Sequence, residues 1–475
     1  MILLIFFVIS VILSISAMLS GNRIMTRMLT LGFALLLILF TVYTWFRLDE
    51  TELTWFTYDS TAVLLLTVLA VLTLPTIYHG FIYTKDDSTK RYNIYHSGLI
   101  ALMTFMAGAY LANTMTVLWI FVEATTLAVA VLIYHDRTEM ALEATWKYVF
   151  ICSTGIALAY LGILFLGFIY GRGDAPNLSF ESFSHVMSTA NPLYLKISFI
   201  FVLVGFSTKM GLFPMHTVTI DAHSVAPPPV SALISTTLMN VGFLAIFRVY
   251  KLFASTSVLP FMNHVLILAG LLSLLVAAGY MLKAKHLKRM LAYSSLENMG
   301  LVAIAVGVGG HGYYAALLLI VLHSFAKSSL FYQMGQLHRI LHTFKLDDCG
   351  RYMKLFPAGA MVLLTGMVSV LAIPPSGMFI SELMIFRGLV ANSQWFVLVA
   401  VIILLCFVVY AMSTRIMHIT FSDPRDAAGQ QLPGNVRPVE TVSQFLLLAI
   451  VILICFYQPP FLADLINRST AILPR

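Results

Sequence analysis

The chain has 475 residues, of which 60% are hydrophobic and only 10% charged, with a net charge of +7 and a mean hydropathy of +0.91. A water-soluble chain carries roughly a quarter charged residues, so a soluble globular protein is excluded. Most basic residues lie between apolar blocks or at their ends, which argues against a nucleic-acid partner. Cys152, Cys349, Cys406 and Cys455 show no CxxC spacing, and neither GxGxxG nor Walker A occurs, so nothing predicts a disulfide, zinc, iron–sulfur, nucleotide or flavin site.

In chain order the apolar blocks fall at 2–20, 27–46, 61–83, 96–113, 115–134, 146–170, 194–216, 226–250, 260–282, 289–309, 312–340, 357–388, 394–420 and 441–467. Blocks of about twenty residues match a hydrocarbon core of about 30 Å. Backbone groups in lipid have no water to bond, so these segments are expected to be helices, and the alternating pattern of a membrane β-barrel is not seen. The expected fold is all-α and integral to the membrane, about fourteen helices in one polytopic domain, 1–475. The first block has no basic n-region and reads as a retained helix. The stretch 171–193, rich in Gly, Pro, Asn and Ser, reads as a loop.

Eighteen of the basic residues follow odd-numbered blocks, in clusters such as Arg23/Arg27, Lys283/Lys285/Lys288/Arg289 and Arg339/Lys345/Arg351/Lys354. Eight, among them Arg47, Arg172, Lys196, Arg248, Lys251 and Arg387, fall on the other face. The excess predicts cytoplasmic odd loops and both termini outside.

Two blocks carry breakers: Gly211 and Pro214 in FSTKMGLFPMH, and Pro374, Pro375 and Gly377 in LAIPPSGMFISE. Proline removes a donor and obstructs a helical bond, so the seventh and twelfth helices are expected to be discontinuous. They are five helices apart, an odd number. The expected organisation is therefore helices 1–3 over 1–95, inverted repeats of helices 4–8 (96–250) and 9–13 (260–420), and helix 14 over 441–467.

Charges within spans are costly, about 2.5–3.5 kcal/mol each on insertion scales, and point to function. Glu123 lies inside the fifth block, Lys209 just before the break of the seventh, Lys327 central to the eleventh and Glu382 after the break of the twelfth. His323 is four residues before Lys327, on the same helical face. Burial moves acids and lysines toward neutrality and histidine titrates near neutral pH, a mixture suited to a proton relay. Competing readings are a static Glu123–Lys209 ion pair, a snorkelling Lys327 and an interfacial Glu382. Lys147, near the start of the sixth block, is ambiguous. His338 and His342 have metal-ligand spacing but no evident third ligand, and an interfacial role suits them better. His216, Asp221 and His223 form a polar stretch near Lys209 that reads as an access route, and weakly as a metal site.

The segment KMGLFPMHTVTIDAHSVAPPPVSALIS resembles the signature of the antiporter-like subunits shared by respiratory complex I, Mrp-type cation/proton antiporters and energy-converting membrane-bound hydrogenases. WIFVEATTL, HLKRMLAYSSLENMGL, HSFAKSSLFY and IPPSGMFISELMIF carry the resemblance from the fifth block to the twelfth. It implies that Glu123 is the helix 5 glutamate, Lys209 its helix 7 partner, Lys327 the central helix 11 lysine and Glu382 the helix 12 exchange acid, held by lysine in some members. Lys147 resembles a helix 6 charge that varies. Asn240 stands where many members have a helix 8 lysine; an amide can help conduct a proton but cannot store one. This departure, with VEATTL and PPSGMFISE, looks most like the F component of hydrogenase 4.

The resemblance implies a proton-translocating membrane subunit of a multisubunit redox complex, either a group 4 membrane-bound hydrogenase or a complex I-like NADH/quinone oxidoreductase, in a prokaryotic inner membrane. This chain would hold no cofactor. Membrane and peripheral partners would carry iron–sulfur clusters and, in a hydrogenase, nickel–iron. Alternatives are an Mrp-type sodium/proton antiporter subunit, a membrane subunit energising inorganic carbon uptake with a zinc-containing partner, and a structural anchor.

Overall fold

The computed structural model describes residues 1–167, 178–184, 190–423 and 436–474. Most of the expected 171–193 loop, with Arg172, lies outside the described residues. The chain starts with α1 (Ile2–Leu19) and α2 (Arg23–Trp45), then a small antiparallel hairpin, β1 (Thr51–Glu52) and β2 (Phe56–Thr57). Next come α3 (Ser60–Tyr83), α4 (Thr89–Leu111), α5 (Met115–Ile133), α6 (Glu139–Gly167) and the short α7 (Phe180–Ser184). Then follow α8 (Pro192–Met210), α9 (Thr217–Val225), α10 (Pro228–Phe253), α11 (Leu259–Leu282), α12 (Leu287–Val308) and α13 (His311–Leu341). The chain closes with α14 (Tyr352–Leu355), α15 (Pro357–Val370), α16 (Gly377–Ala391), α17 (Trp395–Phe421), α18 (Val442–Phe456) and α19 (Pro460–Thr470).

Thirteen of the described helices are long and apolar enough to cross a membrane. The twelfth expected span is instead the pair α15 and α16. Helix starts follow local chemistry: Asn22, Asp59, Ser88, Thr114 and Asn191 each accept a backbone N–H at a helix N-terminus. α8 ends where Gly211 turns left-handed, φ +75°, its N–H bonded to the Ser207 carbonyl at 2.8 Å. A new helix starts at Thr217, where the sequence alone suggested a polar connection. Between α15 and α16, Ser376 donates to the Ser369 carbonyl at 2.9 Å and accepts from the Met378 N–H, so one hydroxyl ties the end of one helix to the start of the next.

The apolar block 441–467 is not one helix. It stops at Phe456, and α19 begins separately at Pro460 because two consecutive prolines, Pro459 and Pro460, cannot supply the N–H bonds a continuous helix needs.

Burial is inverted relative to a soluble protein. Peripheral helices present Leu4, Ile12, Leu35, Phe150, Phe396 and Leu453 outward, as expected where the solvent is hydrocarbon. α10 and α12 are enclosed along their length and α13 nearly so. α13 is the central column, packed by α3, α10, α12, α15, α16 and α18. α10 also packs on α8, and Gly242 makes that approach close: a Cβ there would fall 2.9 Å from the Lys209 carbonyl carbon. Within α10, Ile234–Leu238 form a π-helical turn, and Tyr110 of α4 donates to its Thr237 carbonyl at 2.5 Å.

Candidate functional site

The expected pairing of Glu123 with Lys209 is indirect. Lys209 is almost fully buried in the last turn of α8, where the partial negative charge of the helix C-terminus favours an ammonium. Its Nζ donates to Thr126 Oγ1 at 2.8 Å and Tyr148 Oη at 3.0 Å, and lies 4.9 Å over the Tyr148 ring. Glu123, half-buried on α5, accepts from Ser153 at 2.7 Å and weakly from Thr126 at 3.4 Å. The carboxylate and ammonium thus share Thr126 and do not touch. Sequence spacing could not reveal this, because the bridge joins α5, α6 and α8.

From Lys209 a run of buried polar groups continues toward α13. Thr219 of α9 donates to the Thr208 carbonyl at 3.0 Å. One turn on, His223 Nδ1 bonds the Thr219 carbonyl. A carbonyl only accepts, so Nδ1 carries the hydrogen, and the buried Nε2, near the Ile234 backbone, has no hydrogen-bond partner of ordinary geometry among the described residues. Asn240, fully buried just past the π turn, donates to Ser324 Oγ at 3.0 Å, and its Oδ1 has no partner among the described residues. The π turn adds Ser235, 2.7 Å from Ser295, and Thr236, 3.5 Å from Ser328. Hydroxyls of α10, α12 and α13 therefore meet at one level.

Lys327 is completely buried at this junction, and Nζ donates to the Leu291 carbonyl at 3.0 Å. His323, also completely buried, has no hydrogen-bond partner for either ring nitrogen among the described residues and interacts electrostatically with Lys327 and His223. Sequence reasoning missed Glu297 of α12. It is buried, accepts from Asn298 at 2.6 Å and interacts electrostatically with Lys327. Glu382 of α16, buried too, feels the charge of Glu297. Glu297 thus acts electrostatically on both Lys327 and Glu382. The signal was present: it is a carboxylate eight residues inside the tenth apolar block.

Other candidates lie elsewhere. Lys147 is half exposed at the start of α6, bonded to Glu143 at 2.5 Å, apart from the buried run. His216 sits in the break after α8, its ring stacked 6.0 Å from Phe213. Asp221 pairs with Arg289 at 3.2 Å. His338 stacks on Phe344 at 4.5 Å, and no cluster of three or more metal-ligating side chains occurs among the described residues.

Two basic residues counted for orientation are in fact enclosed. Arg248 is 8% exposed in α10 and binds Asp59 Oδ2 at 2.5 Å and the Tyr110 carbonyl at 2.8 Å. Burial alone would raise the Asp59 carboxyl, but Arg248, Lys251 and the Ala62 N–H outweigh it and hold the carboxyl below its ordinary value. Lys288 is 2% exposed in α12 and donates to the Ala226 carbonyl at 2.5 Å. A cavity of 540 Å³ reaches it from the ends of α3, α5 and α13. A larger one, 1050 Å³, lies by Ile380, Met384 and Arg387, on the face of α16 opposite Glu382 by helical periodicity.

A family model described as NADH:quinone oxidoreductase/Mrp antiporter, transmembrane, matches residues 112–408. A hydrogenase-4 component F homolog from Methylacidiphilum infernorum (isolate V4) is 33% identical over 386 residues, covering 80% of this chain and 79% of that protein. Two solved structures share the fold. A chain of the membrane-bound sulfane sulfur reductase, an archaeal respiratory membrane complex, has a TM-score of 0.86 at 20% identity, covering 99% of this chain and 96% of its own. A chain of the Mrp complex from Dietzia sp. DQ12-45-1b has a TM-score of 0.85 at 15% identity with the same coverage. This chain is a multi-pass membrane protein that belongs to the NADH:quinone oxidoreductase/Mrp antiporter transmembrane family.

Proposed function

We propose that this chain is the proton-translocating subunit of a membrane-bound redox complex of the hydrogenase-4 type. The carrying observation is Lys327: an amine in the middle of a membrane helix, completely buried, with a backbone carbonyl as its hydrogen-bond acceptor and Glu297 as a nearby opposite charge. A buried lysine held by a single backbone carbonyl, flanked by Glu297 and by a His323 whose ring nitrogens have no hydrogen-bond partner among the described residues, is suited to taking up and releasing a proton. The similarity to a hydrogenase-4 component F homolog supports the hydrogenase type.

In this reading Glu123, Thr126 and Lys209 form one charge pair, and His223, Asn240, His323, Lys327, Glu297 and Glu382 form the continuing relay. Asn240 and the hydroxyls at the π turn orient water, and the ionisable groups hold the proton. Moving the Lys209 ammonium toward Glu123 takes positive charge away from the His223–Lys327 region and favours proton arrival there; moving it back expels the proton toward Glu382. Partners bearing iron–sulfur clusters and nickel–iron supply the energy. The segments 96–250 and 260–420 act as inverted repeats, each with one interrupted helix, and the basic loops face the cytoplasm with both termini outside.

The test uses the intact complex in inverted membrane vesicles. Glu123→Gln and Lys209→Met are expected to abolish redox-driven proton uptake while leaving assembly and partner oxidoreductase activity measurable. Undiminished uptake per turnover in both variants would reduce the chain to an anchor. Uptake that requires sodium would favour an Mrp-type antiporter.

A further inference from the structure

Lys288 has no place in the relay above, yet its amine is buried where the sequence suggested a loop. Its ammonium donates to Ala226, the residue that ends α9, and lies 5.4 Å over the Phe344 ring. The 540 Å³ cavity that ends at Lys288 is walled by the ends of α3, α5 and α13, the start of α6 and the α9–α10 turn. All of these elements meet the membrane on the side of the basic loops. Asp86, Thr138 and Met140 at the mouth are exposed. Tyr83 fixes Asp136 in the wall with bonds of 2.8 and 2.9 Å, and Asp136 acts electrostatically on Lys288.

Two further observations point inward from this cavity. Gln336, on its wall, is 1% exposed, and neither its amide oxygen nor its nitrogen has a hydrogen-bond partner among the described residues. Buried amides are satisfied by protein or by water, so this wall is suited to a hydrated passage. On the inner side lies His223, whose Nε2 has no hydrogen-bond partner of ordinary geometry among the described residues and which interacts electrostatically with both Lys288 and Lys327. His223 is therefore common to the cavity's inner lysine and the relay's central lysine.

We propose that this cavity is the inlet by which protons enter the protein, and that Lys288 passes them to His223. The inference rests on the proton-translocating function above and adds its port. In the transfer an N–H bond of the Lys288 ammonium breaks and one forms at His223 Nε2. The neutral amine then takes a proton from a hydronium ion that reaches it from the bulk through the cavity water, which leaves neutral water, and nothing else is consumed. The acids at the mouth, Asp86 and Asp136, gather cations, and the hydrogen bond to Ala226 holds the ammonium at the inner wall. α9 ends on that same carbonyl, so a shift of α9 alters the contact between Lys288 and the segment that carries His223.

Two measurements test this in the intact complex, in a Cys406→Ser, Cys455→Ser background because those two cysteines are not buried. First, Gly335→Cys lines the cavity, where a Cβ meets only Pro228 carbons at ordinary contact distance. A membrane-impermeant cationic methanethiosulfonate, added on the basic-loop side, is expected to lower proton uptake per turnover several-fold. The same reagent on Gln458→Cys in the larger cavity is expected to leave uptake unchanged. Second, Lys288→Cys is expected to lose uptake, and alkylation with 2-bromoethylamine, which rebuilds an amine of nearly lysine length, to restore it; a purely structural lysine would not need the amine returned in this way. Normal uptake by plugged Gly335→Cys, or by Lys288→Cys without alkylation, overturns the inlet. If Glu123→Gln still abolishes uptake in that case, the translocating function stands and only the port is wrong. If Lys288→Cys fails to assemble, the Gly335→Cys result decides alone.

Discussion

Lys209 Nζ donates to Thr126 Oγ1 at 2.8 Å, which leaves the threonine hydrogen aimed at Glu123 Oε2, 3.4 Å away. One hydroxyl therefore sets how strongly an acid and an amine on different helices sense each other. Thr126→Val keeps the volume and removes the bridge. Losing a hydrogen bond to a charged group costs about 1.5–3 kcal/mol. The expected result is a folded complex with proton uptake reduced several-fold, and Thr126→Ser near the parent value. Equal uptake by the valine and serine variants would show that the hydroxyl is not part of the coupling.

Lys327→Met and Glu297→Gln are each expected to reduce proton uptake per turnover to background, and the double variant to be no worse than either alone, because residues acting as one unit are not additive. Vesicle uptake normalised to partner oxidoreductase turnover checks this. Full uptake by Glu297→Gln would remove Glu297 from the relay.

The broad architecture was legible because the bilayer imposes a length and an apolar composition on every span, and the two interruptions because glycine and proline act locally. Glu123, Lys209, Lys327 and Glu382 stood out by the same logic. Glu297 obeys it too, yet was passed over inside a segment valued for its resemblance. Lys288 was hidden differently: in HLKRML it sits with other basic residues at a helix start, and only packing against Ala226 and Phe344 shows that it is enclosed. Thr126 could not have been found, since an ordinary threonine becomes a bridge only when α8 arrives beside α5. The His223 and His323 nitrogens that lack a hydrogen-bond partner among the described residues are likewise tertiary facts.

Tyr110→Phe tests the π turn of α10. The phenol donates to the Thr237 carbonyl at 2.5 Å with both groups buried. Losing that buried bond costs about 0.5–1.5 kcal/mol, expected as a lower Tm of the detergent-solubilised protein. An unchanged Tm would mean that another donor serves the turn.

Asp59 gives a pH signature away from the relay. It caps α3 through the Thr61 and Ala62 N–H groups, both at 3.0 Å, and pairs with Arg248. Its carboxyl is held below the ordinary 3.8 of an aspartate. A depressed folded-state value means that the stabilisation is full above the ordinary value and is lost as pH falls through the folded one. Stability from this site should therefore be flat from pH 5 upward and decline in stronger acid. Asp59→Asn retains a capping oxygen but loses the charge, so it should be less stable at pH 7 and less sensitive to acid. Asp59→Ala should lose about 1 kcal/mol more, for the cap. Parallel acid melting curves for Asp59→Asn and the parent would remove the pair as the source.

The glycine at position 242 constrains how any stroke of this machine can run. Because it presses the α10 backbone against the Lys209 carbonyl, α8 has no slack to slide or rotate at that level without collision. The supporting frame is rigid where the charge is mounted. Travel of the ammonium relative to Glu123 then falls to the lysine's own four-carbon arm, swinging from an anchored root, and a few ångströms of side-chain reach replace wholesale helix movement.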